Sequence, residues 1–205
     1  MSFWYPKLDI DIEKVVKSCE ACSLHANQPA AAPTVSWPAT SRPMDRIHVD
    51  FGQLEDKELL ILIDTNTKWV EVAIMSSTTA SNTIQVLRSW FARLGLPKEM
   101  VSNNGPQFTS MEFKSFLARN GIKQTLVPPY SPKSNGAAEK SVQNVKSALR
   151  KKLTASVTEG QPKLSLQQRI DDFLLTYRIM PTTATGRAPD EMLYGRKLRT
   201  RFALL

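Results

Sequence analysis

The sequence predicts an α/β fold, a five-stranded mixed sheet flanked by helices. Three observations predict it. Apolar residues recur with a period of two in three consecutive segments between positions 46 and 75. From Ile84 the period becomes that of a helix. Beyond it, short apolar segments at 98–102 and 122–127 alternate with helical ones, a pattern that lays helices on the faces of a sheet.

The elements follow in order. After Phe3-Trp4-Tyr5-Pro6, a short helical pattern carries Ile10, Ile12, Val15 and Val16. Residues 27–43 hold four prolines among Ala, Ser and Thr, which describes an extended linker, with the folded body beginning near Met44. Arg46–Phe51 alternates, Glu58–Thr65 is a continuous apolar run, and Lys68–Met75 alternates around Trp69 and Val72. Short polar turns between them predict an antiparallel meander, and the apolar middle run predicts a strand covered on both faces. Ile84, Leu87, Phe91 and Leu94 mark a helix that Gly95 and Pro97 end. Lys98–Ser102 is the fourth strand. A second helix starts near Thr109, with Glu112 completing a capping box and Asn120-Gly121 ending it, before a fifth strand at Ile122–Val127. The proline-rich Pro128–Pro132 is a loop. A long helix at about 135–154 places Ala138, Val142, Val145, Leu149 and Leu153 on one stripe and Glu139, Gln143, Lys146 and Arg150 on the next. A last helix covers about Leu166–Met180, and Arg187–Leu205 is expected to be irregular. This element order is that of a ribonuclease H-like fold.

Charge divides the chain. Residues 1–139 hold 14 basic and 14 acidic residues, whereas 140–205 hold 13 basic and 5 acidic, so the whole net charge of +8 lies beyond Glu139. A basic half joined to a neutral one points to a polyanion, most simply nucleic acid. No apolar run reaches the roughly 18 residues of a membrane span, and no membrane partner is expected. Two cysteines make no disulfide framework, which fits an intracellular setting. Cys19 and Cys22 have the spacing of half a zinc site, but structural zinc takes four ligands, and His25 and His48 are not placed to complete the set. The pair reads as a residual half-site, and bound zinc is not expected.

The chemistry centres on three positions. Asp50 ends the first strand, Asn103 ends the fourth and Glu139 begins the long helix. If the first and fourth strands are neighbours, all three meet at one sheet edge. Carboxylates so grouped hold Mg²⁺ or Mn²⁺, hard ions that activate a water or hydroxyl and stabilise the leaving oxygen of a phosphodiester.

These segments together resemble the integrases of gypsy-type long-terminal-repeat retrotransposons, relatives of retroviral integrases. The resemblance runs through Trp4-Tyr5-Pro6 with Cys19-x-x-Cys22, Arg46-Ile47-His48-Val49-Asp50-Phe51, Lys68-Trp69-Val70-Glu71-Val72 and Phe91–Pro97. It continues through Val101–Ser110, Pro129-Tyr130-Ser131-Pro132-Lys133-Ser134-Asn135-Gly136-Ala137-Ala138-Glu139 and Gly195–Arg201, with 35 residues between positions 103 and 139. It implies a Mg²⁺- or Mn²⁺-dependent polynucleotidyl transferase that trims retroelement DNA ends and joins them to target DNA, working as a homo-oligomer on DNA in the nucleus. Asp50 and Glu139 match two of the three metal-binding carboxylates, and Lys146 matches a helix position that contacts DNA. Gln143 and Arg150 on the same stripe, and Lys133 ahead of it, are the accompanying DNA-binding candidates.

The chain departs from the family pattern in three places. Asn103 stands where the family has its second catalytic aspartate, the histidine pair of the zinc module is missing, and Phe51–Glu55 lacks the usual Gly-Pro turn. An integrase core impaired by Asn103 is therefore expected, and its alternative is a catalytically inactive, integrase-derived nucleic-acid-binding protein. The expected division is a zinc-module remnant at 1–26, the linker at 27–43, the catalytic core at 44–160, and a C-terminal helix with basic tail at 161–205.

Overall fold

A computed structural model describes residues 5–18, 39–127, 147 and 164–200. Contacts divide the chain into two compact units, Met1–Thr34 and Val35–Leu205. In the first, helix α1 (Leu8–Ser18) forms as its periodicity predicts, with Ile10, Ile12 and Val15 exposed.

In the second unit, the alternating segments become β1 (Arg46–Leu54), β2 (Lys57–Asp64) and β3 (Val70–Met75), each antiparallel to the one before. Helix α2 (Ala80–Leu94) crosses to β4 (Glu99–Ser102), and α3 (Pro106–Thr109) and α4 (Met111–Arg119) lead to β5 (Lys123–Leu126). The sheet order is β3-β2-β1-β4-β5, with β4 parallel to β1 and β5 parallel to β4. The five-stranded mixed sheet is as predicted, and so is the contact between the first and fourth strands.

The continuous apolar run in β2 has a plain cause. Leu60 and Leu62 face a core shared with Ile47, Val49, Leu87, Phe108 and Phe113, under α2 and α4. Leu59, Ile61 and Ile63 face a second core with Val70, Val72, Ile170, Phe173 and Leu174. The last three belong to α5 (Leu166–Ile179). With both faces covered, no position of β2 between 59 and 63 is left for a polar residue. Full burial of each such side chain stabilises the fold by about 1.5–3 kcal/mol. Helix α5 thus closes the second core from outside the sheet. Ser165 caps it, accepting from the Gln168 N–H while the Gln168 side chain accepts from the Ser165 N–H.

Four expectations need correction. Strand β1 does not end at Asp50 and Phe51 but runs on to Leu54, because residues 51–54 keep pairing with residues 57–60 of β2, so Asp50 lies within the strand. Helix α4 starts at Met111 with Ser110 as its cap, accepting from the Phe113 N–H at 3.2 Å, because Pro106 opens a separate helical turn that takes up Thr109. The tail beyond Arg187 is not wholly irregular. Helix α6 (Pro189–Tyr194) forms there, with Pro189 in its first turn and Gly195 closing it at φ +68°. The buried Asp190 accepts from the backbone N–H groups of Glu191 and Leu198, both at 2.7 Å, and folds the chain after α6 back onto that helix. Finally, ordered contacts begin ahead of Met44. The Thr40 carbonyl accepts from Asn66 Nδ2 at 2.7 Å, so the end of the proline-rich segment is pinned to the β2–β3 turn.

Among the described residues, no helix is long and apolar enough to cross a membrane. The predicted loop at 128–132 lies outside the described residues, as does the long helix at 135–154 apart from Ser147, which is helical and exposed.

Candidate active site

Parallel pairing of β1 with β4 sets Arg46 opposite Glu99, Ile47 opposite Met100 and His48 opposite Val101. Continued by two residues, that register brings Asp50 opposite position 103. Along β1, Ile47 and Val49 enter the core beneath the helices, so His48 and Asp50 point from the other face.

The two side chains meet there. Asn103 Nδ2 donates to Asp50 Oδ1 at 2.9 Å. The same oxygen accepts from the Phe51 N–H at 2.8 Å. At the other end of the amide, Asn103 Oδ1 accepts from the Gly105 N–H at 2.9 Å, an Asx turn that shapes the strand exit. Because the oxygen is engaged by Gly105, the NH₂ end is the one that faces Asp50. A Cβ at residue 105 would stand 3.0 Å from Asn103 Oδ1 and 2.6 Å from Gln107 Nε2, so glycine lets the loop close this tightly.

This donor set does not fit a divalent cation between positions 50 and 103. Such an ion seeks anionic or carbonyl oxygen on both sides, and here the amide hydrogens occupy that direction. Turning the amide over would give up the Gly105 bond. Among the described residues, no group of three or more His, Cys, Asp and Glu side chains could hold a metal ion. Glu139, Lys133, Gln143, Lys146 and Arg150 lie outside the described residues, as do Cys19 and Cys22.

Below the pair on the same face runs a charged network that sequence reading missed. Glu99 receives Arg46 Nε at 2.7 Å, the Thr125 hydroxyl at 2.6 Å and Lys123 Nζ at 3.3 Å. Burial works against its charge, but the bonds from Thr125, Arg46 and Lys123 outweigh it and hold the carboxyl below its usual range. Its partners lie 24 to 53 residues away in sequence, so only the strand order joins them.

His48 is buried beside this network, and its pKa is lowered to about 4, first by burial and then by the positive charges of Arg46 and Lys68; Glu99 opposes them weakly. The folded pKa lies below the ordinary value of 6.5, so the unfolded chain takes up the proton first as pH falls. This contribution is therefore complete above about pH 6.5 and is lost as pH drops towards 4. By linkage, wild type should lose about 2 kcal/mol between pH 7.5 and 5 that a His48→Gln variant does not lose. Urea denaturation of both proteins at the two pH values checks this.

Residues 40–132 match the integrase core domain family. An uncharacterized protein of Caenorhabditis elegans is 37% identical over 99% of this chain, which spans 16% of that protein. The Gag-Pol polyprotein of feline leukemia virus is 31% identical over 94% of the chain, which spans 11% of it. The chain therefore corresponds to a small part of the relatives' length. Among solved structures, a chain of the simian T-cell lymphotropic virus intasome, in complex with PP2A regulatory subunit B56 gamma, superposes with a TM-score of 0.72 at 22% identity, covering 93% of this chain and 68% of that one. The HTLV-2 integrase catalytic core in complex with magnesium gives 0.62 at 20% identity, covering 75% of this chain and 98% of that one. At such identities the structures establish the fold, which is ribonuclease H-like.

Proposed function

We propose that this chain, which carries the integrase core domain at residues 40–132 and so belongs to that family, is the core of a gypsy-type retroelement integrase acting in DNA integration, with its phosphodiester chemistry impaired at Asn103. One observation carries the second half of that reading. The position that should add a negative charge beside Asp50 instead presents an amide N–H to it at 2.9 Å.

In this reading Asp50 and Glu139 are the remaining carboxylates of the site. A Mg²⁺ or Mn²⁺ ion, when bound by a complete set, supplies activation of the attacking oxygen and stabilisation of the leaving one. This chain's own residues do less. Asp50 is held in place by the Phe51 N–H and the Asn103 amide, and Asn103 fixes the loop through Gly105. DNA is engaged through Lys146, Arg150 and Gln143 in the basic stretch beyond Glu139 and through Lys133 ahead of it, and the chain works as a homo-oligomer on DNA in the nucleus. The net charge of +8 confined to residues 140–205 supports the DNA contact.

The test compares wild type with Asn103→Asp in strand transfer of a retroelement-end DNA with Mg²⁺ or Mn²⁺. Gain of activity by the variant supports the reading. An inert variant that also binds no metal overturns it. Wild type as active as the variant would remove the impairment and leave the integrase core.

A further inference from the structure

We infer that the Asn103 amide is a built-in tie that does the structural work of a cation, closing the β1–β4 edge without any bound metal. This rests on reading positions 50 and 103 as the family's ligand positions, but its test uses neither DNA nor activity.

Backbone pairing between β1 and β4 ends at His48 and Val101. Two residues further along the same register, the Asn103–Asp50 side-chain bond joins the two strands where positions 50 and 103 stand opposite each other. Two carboxylates so close would repel each other, and an edge of that kind needs a cation to hold it. Asparagine is the residue that resolves this locally. Its carbonyl keeps the Asx turn to Gly105, as an aspartate oxygen would, while its NH₂ donates to Asp50, as an aspartate cannot. Aspartate would preserve the turn and lose the tie. Alanine would lose both.

Thermal unfolding of the full chain in EDTA, and again in millimolar MnCl₂, reads the tie directly. Wild type is expected to melt at the same temperature in both, within about 1 °C, because it gains no ligand on folding. Asn103→Ala is expected to melt about 5 °C lower in both. Asn103→Asp is expected to melt below wild type in EDTA and to recover with Mn²⁺. Amide exchange gives a local readout: the Phe51 and Gly105 N–H groups should be protected in metal-free wild type and lose protection in Asn103→Ala. If Asn103→Ala melts with wild type and keeps both amides protected, the tie carries no energy and the inference falls. If Mn²⁺ stabilises wild type as much as it does Asn103→Asp, the amide does not stand in for a cation. Either result is independent of whether Asn103→Asp regains strand transfer, so the two readings fail separately.

Discussion

Replacing Asn103 by aspartate is expected to raise metal-dependent strand transfer by roughly a thousandfold, about 4 kcal/mol of activation free energy. The size follows from charge. Two unit charges 4 Å apart interact by about 4 kcal/mol at an effective dielectric of 20, and each 1.4 kcal/mol or so is tenfold in rate. Asp50 and the loop through Gly105 are already in position, so the substitution has little backbone to rearrange. Asn103→Asp also removes the donor that now occupies one Asp50 oxygen. Single-turnover assays across a Mn²⁺ titration separate the two contributions. A rise in metal affinity alone saturates at high Mn²⁺, whereas a gain in turnover persists there. Asn103→Ser is the control, because it offers neither the charge nor an amide and should stay as slow as wild type. An Asn103→Asp gain below tenfold would mean that position 103 is not what limits this chain.

The meeting of positions 50 and 103 was legible because its logic is local until the last step. Alternation in 46–51 and 98–102 places Asp50 on the outward face of the first strand and Asn103 at the end of the fourth, and one topological assumption, that these strands are neighbours, brings them together even though β1 runs past Asp50 to Leu54. The structure adds which way the amide points, since that depends on the Gly105 N–H and on no sequence pattern. The Glu99 network was invisible for a related reason: its four residues come from three strands, and each alone reads as an ordinary surface polar residue. Elsewhere the sequence carries the signals outright. Pro189, Asp190, Glu191 and Gly195 are a helix start and stop in the expected order, but the basic run after them drew the reading towards irregular chain. At Thr109 a valid capping pattern lost to its neighbour, because Pro106 opened a turn that made Ser110 the first free cap.

Arg178→Ala is expected to destabilise the domain by about 3 kcal/mol, measured by urea denaturation. β3 is an outer strand of the sheet, and an outer strand leaves backbone groups to be satisfied from elsewhere. Arg178 on α5 does this, donating from Nε and Nη2 to the Val70 carbonyl at 3.2 and 2.8 Å. Its Nη2 lies 3.0 Å from Glu71 Oε2, and its guanidinium carbon sits 4.1 Å from the centre of the Trp69 ring. Glu71 is only 5% exposed, and Trp69 Nε1 donates to its other oxygen at 3.0 Å. Removing one partner of a buried pair costs about 3–5 kcal/mol because the other charge stays behind unpaired. The lower end applies here, since the Trp69 bond and the more distant Arg93, at 3.7 Å, still face the carboxylate. Arg178→Lys should recover less than half of the loss, because an ammonium cannot fork to a carbonyl and a carboxylate while stacking on an indole. Arg93→Ala, at a side chain 58% exposed, should cost less than about 1 kcal/mol. Adding Glu71→Gln to Arg178→Ala removes the stranded charge and should return part of the stability, so the double variant is more stable than the sum of the single losses. Strict additivity, or a cost for Arg178→Ala below about 1 kcal/mol, would show that α5 is held by Ile170, Phe173 and Leu174 alone and that the guanidinium is only an ornament on that packing.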